Sequence, residues 1–239
     1  MLRFGRSYIT VSEIAQQFFC EYKLHMAIIE GKVETPSMEV GIVIHDEVFK
    51  GKSVDATEFL NIVRNNPVVI ATLPLVVGIG DVVIVGIPDA VLFINGIAKA
   101  VIELKTSNKW LDRVFENENV QAQLYAYLIN KLGLGRDPLI VIIKSKRDPG
   151  VVPSLRKSIY SAVVDYVNSA VELPAKVRFR DFTMYIDGFD RSIEARLRWA
   201  IDYWLMRRDA RATPSPGKCS VCEYRGNCPF KALGQFRFS

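Results

Sequence analysis

Residues 82–105 read VVIVGIPDAVLFINGIAKAVIELK. Val, Ile and Leu dominate, and Asn95-Gly96 divides the run, a strong short-range signal for a β-hairpin. The strand pattern reaches back to residue 68, so 68–105 reads as the sheet-forming part of the chain. Glu103 and Lys105 stand two apart in the second strand of the hairpin, hence on one face. Charged groups in an otherwise apolar strand are costly to bury without a partner or a task. Asp89 opens the preceding strand, after Gly86-Ile87-Pro88. Carboxylates on adjacent strands make a hard-oxygen site suited to Mg²⁺ or Mn²⁺. A lysine beside them can help deprotonate or orient a water, or neutralise charge on a phosphate. Taken alone, the same residues also describe an ordinary ion pair on a strand.

Register discriminates between these readings. A plain two-residue turn at Asn95-Gly96 pairs Ile94 with Ile97 and sets Asp89 opposite Ile102, so that Glu103 faces away. A shared cation needs an odd residue in between. A three-residue loop, Ile94-Asn95-Gly96, with Gly96 left-handed, pairs Phe93 with Ile97 and Asp89 with Val101. Asp89 and Glu103 then lie diagonally on one face, about 7 Å apart at Cα. A bulge at Pro88 serves equally, because proline donates nothing to the ladder. The sequence thus predicts an odd-residue irregularity between Asp89 and Glu103.

Away from the hairpin the periodicity is helical. Thr10-Val11-Ser12-Glu13 offers a capping box, with a helix to about Ile29 that carries Cys20. Thr35-Pro36 opens a second helix to about Lys50, carrying His45 in GIVIHDEVF. A short helix is expected within 55–65. After the hairpin come a helix over 114–132, a buried strand over 138–144, a helix over 154–171, a short strand over 182–187 and a helix over 190–208. Helices before and after a central mixed sheet imply an α/β sandwich. The 239 residues suffice for one sizeable domain, read as 1–212, with a cysteine-rich tail over 213–239.

The cysteines sit at the two ends. Cys20 lies near the start, and Cys219, Cys222 and Cys228 form C-x2-C-x5-C in a tail punctuated by Pro214, Pro216, Gly217, Gly226 and Pro229. Thiolates are soft ligands, and four of them suit zinc or an iron–sulfur cluster. The alternatives are a disulfide set, disfavoured because nothing else looks secreted, and a core role for Cys20 after Phe18-Phe19. A four-thiolate site would be the only covalent-like tie between the ends. Composition is ordinary for a soluble protein, 49% hydrophobic and 24% charged. No apolar run of membrane-spanning length and no signal-peptide pattern are present, so a cytoplasmic location is expected. The net charge of +5 lies wholly in the last fifth: residues 190–239 hold ten Lys/Arg and five Asp/Glu, against 21 of each before them. That points to a polyanion near the tail. Arg207, Arg208, Arg211, Tyr224 and Arg225 are candidate contacts for a single strand.

The order of these pieces is Cys20, Gly41 to His45, Gly86 to Asp89, Glu103 to Lys105, a Gln-x-x-x-Tyr on the following helix, then the three C-terminal cysteines. It resembles the CRISPR-associated RecB-like nucleases that carry a four-cysteine iron–sulfur cluster, members of the PD-(D/E)XK nuclease superfamily, over about residues 20–230. The resemblance implies a restriction-endonuclease-like fold. It makes His45, Asp89 and Glu103 metal ligands with the Leu104 carbonyl, Lys105 the catalytic lysine, and Gln123 and Tyr127 supports of the lysine or DNA contacts. Gln121 with Tyr125 has the same spacing, but QLYAYLI matches the family's Q-L-x-x-Y, which favours Gln123. It further implies Mn²⁺ or Mg²⁺, and a cluster on Cys20, Cys219, Cys222 and Cys228, four-iron in preference to two-iron. The implied activity is that of a DNA exonuclease on single-stranded ends, preparing fragments for spacer acquisition beside the CRISPR integrase complex. Oligomeric state stays open, a homo-oligomer included. The competing readings are a non-catalytic nucleic-acid-binding protein with a decayed site, a zinc-stapled adaptor and, more remotely, an iron–sulfur DNA glycosylase.

Overall fold

In the computed structural model, which describes residues 1–109, 111–169 and 172–232, the chain begins with β1 (Ile9–Thr10), α1 (Val11–Ile29), α2 (Pro36–Val48) and α3 (Ala56–Asn65). The apolar runs of 68–105 become β2 (Val68–Ala71), β3 (Leu75–Ile79), β4 (Val82–Gly86), β5 (Ala90–Ile94) and β6 (Ile97–Thr106). Then follow α4 (Glu116–Lys131), β7 (Leu139–Ser145), α5 (Val152–Asn168), β8 (Ala175–Arg178), β9 (Phe182–Asp187), α6 (Ile193–Trp204) and α7 (Pro216–Ser220). The strands form a small sheet, β1-β4-β3, and a six-stranded mixed sheet, β2-β5-β6-β7-β9-β8. The run from β6 through α4 to parallel β7 is a βαβ unit. Asp89 lies between β4 and β5, where the chain leaves one sheet for the other.

Helix starts follow the capping chemistry of the sequence. Thr10 and Glu13 form the capping box of α1, Thr35 caps α2 with Pro36 in its first turn, and Asp55 accepts from Thr57 and Glu58 N–H at the head of α3. Helix ends depart more. Helix α6 stops at Trp204 rather than 208, because Met206 turns left-handed (φ 59°). The two-residue β1, the edge strand β8 and the short α7 carried no sequence signal. The expected helix end at 171 lies outside the described residues. One departure matters below: α1 is not continuous, for Cys20 has extended dihedrals (φ −166°, ψ 109°) and breaks it.

Two cores flank the large sheet. On one face α1, α4 and α6 pack over Val91, Phe93, Val101, Ile140 and Ile142. On the other, α2 and α5 pack over Leu92, Ile102, Leu104, Val141 and Ile143. Helix α4 is buried almost all round, from Val120 to Ile129, as expected of a helix enclosed by a sheet and two other helices.

The β5–β6 hairpin carries the odd residue, though not at either expected place. The turn is a two-residue one with both centres left-handed, Asn95 (φ 49°) and Gly96 (φ 81°), and it pairs Ile94 with Ile97. Phe93 pairs with Ala98 but Leu92 pairs with Ala100, so Lys99 is the extra, exposed residue of a bulge. Ala98 therefore points into one core and Ala100 into the other. Beyond the bulge Ala90 pairs with Ile102, and the next step of that register sets Asp89 across from Glu103.

Candidate functional site

The bulge turns Val101, Glu103 and Lys105 toward α1 and α4, while Ile102 and Leu104 fill the opposite core. Glu103 is 2% exposed. Lys105 Nζ donates to Glu103 Oε1 (2.7 Å) and to Gln121 Oε1 (2.8 Å), and Gln121 Nε2 donates to the Tyr125 hydroxyl (3.3 Å). Asp89 Oδ2 accepts the Leu104 N–H (2.7 Å), and Asp89 Oδ1 lies 3.0 Å from His45 Nδ1. His45, Asp89, Glu103, Leu104 and Lys105 are thus brought together. Two close approaches allow it. A Cβ on Gly86 would fall 2.6 Å from the Tyr125 ring and 2.7 Å from Val11, and one on Gly41 would fall 3.3 Å from Thr106 Oγ1. The glycines let α4 and α1 close on β4, and α2 close on the end of β6.

Gln123 and Tyr127 are not in this group. Gln123 donates to the Gly188 carbonyl (3.0 Å) and accepts from Asp190 N–H (2.9 Å), tying the β9–α6 loop to α4. Tyr127 lies beside Lys131 on the same flank. The pair that meets Lys105 is Gln121 and Tyr125. Residues two apart on a helix are about 200° apart, so only one glutamine can face the site. Because α4 is buried almost all round and carries glutamines on more than one side, its sequence does not mark which. Sequence reasoning also missed Glu118 and Lys144. Lys144 is level with Lys105 on β7, 1% exposed, and donates to Glu118 Oε1 at 2.5 Å. Glu118 Oε2 in turn caps the Phe115 N–H (2.9 Å). A lysine inside PLIVIIK was the available signal.

Burial pushes the Glu103 carboxyl up to about 7, against the pull of Lys105 and with Asp89 adding to the rise. Burial also works against charge on Lys105, but Glu103, Asp89 and Glu118 outweigh it and hold its pKa above the usual lysine value. Lys105 thus gains from the pair, while Glu103 stays undercompensated against its burial. Among the described residues, buried Glu103 Oε2 has no hydrogen-bond partner. An orphaned carboxylate oxygen beside a second carboxylate is a donor set that suits a hard divalent cation. Lys105 is therefore a cation at neutral pH, which favours charge neutralisation over proton abstraction.

Cys20, Cys219, Cys222 and Cys228 line one recess, with Lys23, Lys218, Arg225 and Lys231 and, among the described residues, no carboxylate. All four thiols are free and partly exposed. Among the described residues no three His, Cys, Asp or Glu side chains are already gathered around a single ion position. In the carboxylate site, Asp89 is turned onto Leu104 and His45, and Glu103 onto Lys105. In the recess the thiols share a cavity rather than a point.

The ends are also joined without any cysteine. Glu21, on α1, is clasped by both terminal nitrogens of Arg208 (2.6 and 2.8 Å). Lys23 pairs with Glu223 (2.7 Å). The Tyr224 hydroxyl donates to the Gly31 carbonyl (2.8 Å) and accepts the Val33 N–H (3.2 Å). A four-thiolate site is therefore not the only tie between the ends. Arg208 and Tyr224 are structural groups, and Arg207 pairs with Asp202. Of the proposed strand contacts, Arg207, Arg211 and Arg225 stay exposed.

Residues 46–229 match the model of the PD-(D/E)XK nuclease superfamily. The chain belongs to that superfamily. The match spans Asp89, Glu103, Lys105 and the three C-terminal cysteines, and begins after Cys20 and His45. Superfamily members are typically metal-dependent nucleases, and the α/β fold with a helix-flanked sheet agrees. The crystal structure of SSO0001 is similar in fold, with a TM-score of 0.52 at 15% identity, over 96% of this chain and 89% of that one. No curated protein matches. Among the described residues no helix is long and apolar enough to cross a membrane.

Proposed function

We propose that this PD-(D/E)XK chain is a divalent-metal-dependent DNA exonuclease acting on single-stranded ends. The observation that carries the reading is the unpartnered Glu103 Oε2 beside Asp89 and Lys105. His45, Asp89, Glu103 and the Leu104 carbonyl would hold Mn²⁺ or Mg²⁺. Such an ion polarises the phosphoryl group and acidifies an attacking water. Lys105, protonated and a quarter exposed (23%), meets the charge that builds on the phosphate in the transition state. Gln121, backed by Tyr125, fixes where its ammonium points. Asp89 keeps His45 and the β6 backbone in place through one carboxylate.

The four thiols suit an iron–sulfur cluster. Lys23, Lys218, Arg225 and Lys231 line the recess with them, while burial holds the Cys222 thiol above its ordinary value, so its thiolate would depend on the bound group. The exonuclease activity, the action on single-stranded ends and a place in CRISPR spacer acquisition beside the integrase rest on the motif order. Zinc in the recess remains the second reading, favoured by the C-x2-C turn. Incubating the protein with end-labelled single-stranded DNA, with and without Mn²⁺, tests the main reading. Wild type should shorten the DNA only with metal, and Lys105→Ala should leave it intact. Cleavage at the wild-type rate by folded Lys105→Ala would sink the assignment. Visible absorption of the purified protein separates iron–sulfur from colourless zinc.

A further inference from the structure

We infer that Glu21 and Arg208 are the positioning pair of the cysteine recess, holding α1 broken so that the Cys20 thiol faces Cys219, Cys222 and Cys228. The inference rests on reading those thiols as a ligand set. On an unbroken helix Cys20 would share a stripe with Gln17 and Leu24, its neighbours at three and four residues. Both are 2% exposed. Cys20 would then point at the core. Instead its extended backbone (φ −166°, ψ 109°) diverts it into the recess.

A helix break frees main-chain groups that must find other partners. Here the segment after α6 supplies them. The Tyr22 N–H donates to the Arg211 carbonyl (3.2 Å), and Thr213 Oγ1 donates to the Phe19 carbonyl (3.0 Å). That segment is fixed in turn by Glu21, which is fully buried. Glu21 accepts two parallel bonds from Arg208, the Arg211 N–H (2.6 Å) and Gln17 Nε2 (2.5 Å). Arg208 lies over the Trp199 ring at 3.9 Å and donates to the Trp199 carbonyl. Gln17 closes the network by accepting from Trp204 Nε1 (3.0 Å). Each member of this buried network is satisfied, the condition under which such a network specifies one geometry. The pair touches no thiol. It acts through the backbone on either side of Cys20.

The test uses the full chain in two variants, Glu21→Gln and the paired Glu21→Met/Arg208→Leu, which removes the charges without stranding either one. Circular dichroism confirms folding. After chelation of any bound metal, alkylation of each cysteine by iodoacetamide is followed by mass spectrometry. Separately, the protein is reconstituted with ferrous iron and sulfide and its visible absorption read. Cys20 is expected to react several times more slowly in the variants while the other three thiols react as before, and iron retention should weaken on the order of tenfold. If a folded variant alkylates Cys20 at the wild-type rate and regains wild-type absorption, the inference is overturned, and the paired variant decides should Glu21→Gln unfold. A wild type that takes up no iron sinks the cluster reading alone, and the alkylation comparison still decides the positioning role.

Discussion

Asp89, Glu103 and Lys105 come from one hairpin and are placed by strand register, whereas Cys20 and the C-terminal cysteines come from opposite ends of the chain and are placed by a polar network. In the hairpin, one extra residue at Lys99 sets which face the carboxylates share. In the recess, a broken helix and the Glu21–Arg208 clasp do the same work across the whole sequence. The first device is local, and burial of the Glu103 carboxyl works against its charge. The second is long-range and fully hydrogen-bonded before any cofactor is considered. The comparison teaches that the reactive site stores its misfit, while the staple site is satisfied in advance.

The largest expected effect comes from breaking the register. Inserting one alanine between Val101 and Ile102 should shift Ile102 opposite Asp89, swing Glu103 and Lys105 off the shared face and lower metal-dependent cleavage by at least about 100-fold. Lys99→Ala, which keeps the bulge and loses only an exposed side chain, should cut DNA like wild type. Equal activities in the two variants would mean that strand register does not place the carboxylates.

Breaking the network should cost stability rather than register. Arg208→Ala strands the buried Glu21 and is expected to destabilise the domain by roughly 3–5 kcal/mol in denaturant unfolding. Cys20→Ala should lose any bound iron yet shift the melting temperature far less, because Arg208, Lys23 and Tyr224 still hold the ends. A collapse of Cys20→Ala matching that of Arg208→Ala would mean that the cysteines, not the network, carry the join.

The misfit at Glu103 can be read directly by pH. Its carboxyl titrates at about 7 in the fold against 4.5 otherwise. The folded state therefore binds the extra proton, and the penalty is full above pH 7 and fades as the pH falls toward 4.5. A rise of that size corresponds to about 3 kcal/mol. Metal-free Glu103→Gln should thus melt above wild type at pH 8, with the difference closing by pH 5, and should not cleave DNA. The smallest effect is reserved for the helix phase. Gln121→Ala should slow cleavage on the order of tenfold by freeing the Lys105 ammonium, and Gln123→Ala should leave the rate unchanged while loosening the β9–α6 loop. The reverse ranking in single-turnover assays would restore Gln123 to the site.

The sequence by itself determined the hairpin, the two carboxylates with their lysine, the requirement for an odd residue between them, and the split cysteine set. These are properties of residue type and of spacing along one strand, where a period of two leaves little freedom. Capping boxes and a proline at the first turn marked the helix starts for the same local reason. Tertiary structure alone decided the rest. It put the bulge at Lys99, since any of several positions satisfies the same parity. It chose Gln121 over Gln123, since a helix buried almost all round, with glutamines on more than one side, does not mark its phase. It broke α1 at Cys20, because the partners for the freed backbone groups lie about two hundred residues away, beyond the reach of any periodicity.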